Sequence, residues 1–163
     1  AFFAAASVGS VLGVMLGGLI AAKWGWKAAF GVVGVPGLVL ALLESDAARI
    51  AAQKATPAEI TELLAIHDEL ESALDDRDRF FAANERFHMR LLEIADNRWR
   101  NQMVADLRKV MKLNRHHSLL KSGRIEESLA EHRAVMTALQ ARDAAAATQR
   151  MLEHFRNGLE AAT

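Results

Sequence analysis

"GVPGLVLALLESDAARIAAQ", residues 34–53, changes character at its centre. Up to Leu43 it is apolar, rich in glycine and free of charge. From Glu44 it is a charged, alanine-rich stretch of good helix formers. The position of that seam decides whether the chain is one helical domain with an oily start or two unlike pieces joined end to end. Nothing between Leu38 and Ala55 breaks a helix, so one helix can run through it.

The same division runs through the composition. The 163 residues have a formal net charge of +0, yet residues 1–43 contain only two charged side chains, Lys23 and Lys27, and every acidic residue lies at or after Glu44. Balanced charge argues against a nucleic-acid-binding surface spread over the whole chain. The absence of cysteine excludes a disulfide framework and thiolate metal sites. Two prolines and abundant Ala, Leu, Glu and Arg point to helices rather than sheets.

Residues 1–22, "AFFAAASVGSVLGVMLGGLIAA", carry no charge and have the length of a bilayer-crossing helix. Gly9, Gly13 and Gly17 fall on one helical face, where a second helix could approach closely. "KWGWK" follows with an interfacial pairing of Trp and Lys, then a second apolar run containing Pro36. The expectation is an apolar helical hairpin over 1–43, in a membrane or buried in a soluble protein. The "GGLIAAKWGWKAAF" turn and "GVPGLVLALL" resemble a two-helix fragment of a major facilitator superfamily transporter. Two helices make no transport path, because substrate sites in such folds lie between bundles.

Residues 44–163 read as an all-α, antiparallel six-helix bundle with short connections. The helices are expected over 44–55, from a capping box at Thr56-Pro57-Ala58-Glu59 to about Asp75, from Asp76–Asp78 to "ADN" at 95–97, over 98–120, over 125–141, and from a cap at Asp143 to near the C-terminus.

The informative residues interrupt the apolar stripes. Phe80, Asn84, Phe87, His88, Leu91 and Ala95 share a face of the third helix. His132 lies within the stripe Ile125, Leu129, Val135, Met136, Leu139, and His154 within Ala147, Met151, Phe155, Gly158. A single inward histidine is commonly a core residue bonded to a carbonyl. Three histidines and an asparagine on three helices instead offer, if those helices converge, three imidazole nitrogens and one oxygen. That donor set suits a divalent transition metal (Zn, Ni, Fe or Mn) with positions open to water or a ligand.

"LLESDAARIAAQKATPAEI", "ANERFHMRLLEIADN", "SLAEHRAVMTALQARDAAAA" and "MLEHF" occur in this order. Together they resemble the FCD domain, the C-terminal effector domain of FadR-type transcriptional regulators in the GntR family. The resemblance implies that Asn84, His88, His132 and His154 are metal ligands. Asn84 stands where the family often has Asp, and an amide oxygen is the weaker ligand. It also implies a small organic acid as effector, a homodimer, and action on DNA through a winged-helix domain not found among these residues. In the fourth helix, Arg108, Asn114 and Arg115 are candidate effector-binding residues, an inward Arg being able to grip a carboxylate bidentately.

His116 and His117 diverge by about 100° and do not share a metal. His67 reads as a surface residue, and Glu131, next to His132, is expected to point away from the site. With no general base, the expectation is a non-enzymatic, cytoplasmic metal-dependent sensing domain over 44–163, with membrane association only if residues 1–43 insert. The alternatives are a membrane transporter fragment with a soluble helical tail and, ranked lower, a metal-dependent hydrolase.

Overall fold

A computed structural model of the chain describes residues 19, 22–23, 26–118 and 121–161; for 26–34 and 110–118 it describes the backbone alone. The described elements are six helices: α1 (Trp26–Lys54), α2 (Pro57–Glu71), α3 (Arg77–Ile94), α4 (Arg98–Ser118), α5 (Arg124–Gln140) and α6 (Ala144–Ala161). No strand occurs among the described residues. The chain divides into two compact units, Ala1–Leu38 and Val39–Thr163. All the residues that build the candidate site lie in the second.

Helix α1 passes through Leu43 and Glu44 without a break. The first arm of the expected hairpin and the Gly9, Gly13, Gly17 stripe lie outside the described residues. Among the described residues, no helix is long and apolar enough to cross a membrane.

Local chemistry sets the helix boundaries. Thr56 and Glu59 form the expected capping box: the Thr56 N–H donates to Glu59 Oε2 at 2.8 Å and the Glu59 N–H donates to Thr56 Oγ1 at 3.2 Å. Pro57 starts α2, where its missing N–H costs nothing. Asp76 caps α3 by accepting from the Arg79 N–H, Asn97 accepts from Arg100 N–H at the start of α4, and Asp143 accepts from Ala146 N–H at the start of α6. Gly123 precedes α5 at φ 79°, a left-handed conformation that glycine adopts without steric cost.

The core follows from the stripes. In α1, Leu40, Ala41, Ala47, Ala48, Ala51 and Ala52 are buried against Phe87, Leu91 and Leu92 of α3, Val135, Met136 and Leu139 of α5, and Met151 and Phe155 of α6. Ala47, Ala48, Ala51 and Ala52 are fully buried, so this face of α1 offers the core little side-chain relief. A second cluster, Leu70, Ala73, Phe80, Ala83 and Leu129, closes the end where α2, α3 and α5 meet. Helices α2 and α3, α3 and α4, and α5 and α6 pack as neighbours across short connections, which makes each pair antiparallel, as expected.

Candidate metal centre

The three stripe-interrupting histidines come together. His88 of α3, His132 of α5 and His154 of α6 each offer a nitrogen, and these atoms lie within 4.8 Å of one another. All three are buried, with ring centroids 4.8–5.2 Å apart. Phe87 and Phe155 pack against the imidazoles: Phe87 lies 4.7 Å from His132 and Phe155 lies 5.5 Å from His88. The histidines therefore sit in an apolar wall. A buried polar group there costs on the order of 1–3 kcal/mol unless something satisfies it.

Two of them are satisfied at Nδ1. His88 Nδ1 is 2.7 Å from Glu44 Oε2, and His154 Nδ1 is 2.7 Å from Glu131 Oε2. Each carboxylate is in turn clamped by a buried arginine. Arg108 donates from Nε to Glu44 Oε1 at 2.6 Å and from Nη2 to Oε2 at 2.5 Å. Arg124 donates to the two Glu131 oxygens at 2.9 and 2.8 Å, and Asn157 Nδ2 adds a third donor at 2.9 Å. His132 differs: neither of its ring nitrogens has a hydrogen-bond partner among the described residues.

The electrostatics follow from this layout. Burial pushes the Glu44 carboxyl up, but the charges and hydrogen bonds of Arg108 and His88 outweigh it and hold Glu44 well below the usual carboxylate range. Burial and the neighbouring Arg108 charge push His88 down, against the pull of Glu44. Burial, then the other two histidines, pushes His132 far below the ordinary imidazole value. Glu131 is opposed by burial yet lowered to about 2 by its hydrogen bonds to His154 and Arg124. The pocket thus favours neutral His88 and His132 beside two ionised carboxylates, and neutral imidazole is the form that ligates metal.

Asn84 is half-buried, one turn before His88 on α3. Arg108 does turn inward and does grip a carboxylate, but the acid it holds is the protein's own Glu44. The side chains of Asn114 and Arg115 lie outside the described residues. Two expectations need correction. His67 is buried rather than on the surface: it follows Leu63 and precedes Leu70 on the inner stripe of α2, and its Nδ1 lies 3.7 Å from Glu71 Oε1. Glu131 does not point away from the cluster but reaches across to α6, where His154 and Asn157 meet it.

Glu44 and Arg124 were not singled out as site residues in the sequence and Glu131 was expected to face away, although the helical phase of all three was readable. Glu44 stands three and four residues before Ala47 and Ala48 on the buried face of α1. Arg124 and Glu131 are seven apart on α5, two turns along one face.

Residues 38–157 match the family model for the FCD domain. No curated protein matches. Among solved structures seven chains match, one of them E. coli McbR/YncC, with TM-score 0.73 and 18% identity over 80% of this chain. The chain spans 63% of that structure's length, and at this identity the likeness shows the fold alone. Residues 1–37 lie outside the family match. With about three quarters of its length matched by the family model and the same helical architecture as that structure, this chain belongs to the FCD domain family.

Proposed function

We propose that the domain is the effector-sensing part of a GntR/FadR-type transcriptional regulator, and that its pocket is centred on a divalent transition metal. His88, His132 and His154 would hold the metal, with Asn84 as the oxygen donor one turn from His88. The observation that carries this reading is His132, buried to 1% exposure with both ring nitrogens unpartnered and two further imidazoles beside it. A core histidine kept for packing would bond a carbonyl or hydroxyl; this one meets no hydrogen-bond partner among the described residues. The nitrogen donor set and the absence of thiolates suit Zn, Ni, Fe or Mn.

Charge accounting supports an anionic effector. Ligating imidazoles and Asn84 bring no charge, and Glu44 and Glu131 are each matched by a buried arginine. The charge of a dication would remain uncompensated by the protein. A small organic acid supplies both a ligand oxygen and the missing negative charge. The metal, when bound, supplies Lewis acidity that strengthens the grip on that oxygen. Action on DNA, through a winged-helix domain, and pairing into a homodimer belong to the same proposal.

The hydrolase reading finds less support. Glu131 is the acid that meets His154, but three donors hold it and its pKa lies at about 2, too low for a general base near neutrality. No family match covers residues 1–37, so nothing beyond sequence resemblance supports a transport role for residues 1–43.

The test is calorimetric titration of chelator-treated protein with zinc or nickel, then with small dicarboxylic and hydroxy acids. The expected result is one metal per chain, and acid binding that appears only with the metal present. Acid binding of equal strength without metal would overturn the metal-centred reading.

A further inference from the structure

Two of the converging histidines share a support that the third lacks. Glu44 and Glu131 come from α1 and α5, while the imidazoles they meet belong to α3 and α6. Both oxygens of each carboxylate receive guanidinium N–H donors, from Arg108 in one case and from Arg124 in the other. A carboxylate so placed can only accept, so the imidazole proton must sit on the nitrogen that faces it. In both histidines that nitrogen is Nδ1.

We propose that Glu44 and Glu131 are positioning residues that fix His88 and His154 as Nδ1–H tautomers and turn Nε2 of each toward the metal, with Arg108 and Arg124 immobilising the two carboxylates. The proposal rests on the metal-centred reading above. A clamped carboxylate fixes both the ring plane and the tautomer before any ligand arrives, and it raises the basicity of the opposite nitrogen. His132 has no such partner, so its tautomer is free to follow whatever binds. The pocket therefore holds two preset ligands and one adaptable ligand.

The decisive measurement is a long-range proton–nitrogen correlation spectrum of the metal-free, full-length chain with labelled histidine. His88 and His154 are expected in the Nδ1–H form; the Nε2–H form at either position overturns the proposal for that residue, whether or not metal binds. Zinc titration of Glu131→Ala and Glu131→Gln gives the second readout. The alanine variant is expected to bind zinc about 10–100-fold more weakly than wild type. The glutamine variant, which still accepts a hydrogen bond through Oε1, is expected to keep the His154 tautomer and recover part of the affinity. Wild-type affinity in a folded Glu131→Ala chain overturns the positioning role. A wild-type chain that takes up no zinc or nickel overturns the metal-centred reading and the role of the carboxylates toward a metal with it, and the tautomer spectrum shows which of the two has failed.

Discussion

Glu131 and His132 are adjacent in sequence, yet both serve the same buried cluster: Glu131 Oε2 meets His154 Nδ1 at 2.7 Å while the His132 ring packs 4.8 Å from the His154 ring. Neighbouring side chains on a helix diverge by about 100°, which would ordinarily send one of them away. Here α6 packs into that angle, with His154 meeting both.

His132→Leu should separate stability from binding. In the metal-free protein the substitution removes two unsatisfied buried nitrogens and should raise stability by about 1–2 kcal/mol in urea unfolding. In the presence of zinc the ranking should reverse, because a ligand at a hundredfold excess over its Kd stabilises by about 2.7 kcal/mol, and the variant forgoes this. A variant that loses stability in chelator would indicate that His132 has a protein partner.

Arg108→Met should be among the most damaging single changes. It leaves Glu44 buried beside His88 without its bidentate partner, and stranding one member of a buried ion pair costs about 3–5 kcal/mol. The double variant Glu44→Gln with Arg108→Met should recover most of that loss. Chemical denaturation of the two single variants and the double variant gives the coupling directly, and additive losses would show that the pair does not act as a unit.

Acid should weaken the metal-free fold before any carboxylate titrates. His88 and His132 are held below the ordinary imidazole value of 6.5, so the unfolded chain binds protons first and stability is lost as pH falls below that value. Two such groups lower stability by about 2–3 kcal/mol between about pH 7.5 and about pH 5.5. The lowered values of Glu44 and Glu131 keep their contributions intact until pH drops beneath 4.5. Thermal melts across this range in chelator should fall steadily; a flat profile would mean that the imidazoles are already charged in the fold.

Thr56→Ala provides the contrast. It removes half of the capping box at the start of α2, on the exposed surface and away from the histidines, and should cost about 1 kcal/mol in urea unfolding. Zinc affinity should not change.

Periodicity and caps made most of the fold legible. The capping box at Thr56, the cap at Asp143 and the three histidine-interrupted stripes could be read directly, because helical phase is local. His67 was misread for lack of the same test: its spacing to Leu63 and Leu70 already put it inside. The carboxylates were harder. Glu44 and Glu131 look like surface charges in a chain with 20 acidic residues, and what brings them inside is pairing with Arg108 and Arg124. Those pairs span 64 and seven residues, and the longer one depends on which helices become neighbours. Stripe analysis asks which residues are apolar and so passes over buried ions that neutralise one another.

The alanine face of α1 has a mechanical consequence. Ala47, Ala48, Ala51 and Ala52 present a nearly smooth surface, which on its own lets a helix roll or slip in its groove. Glu44 is the tooth on that shaft. A slip of one residue moves it about 1.5 Å along the axis and swings it about 100° around, enough to strip it from both His88 and Arg108. The angular setting of this alanine face is thereby locked to the imidazole of His88.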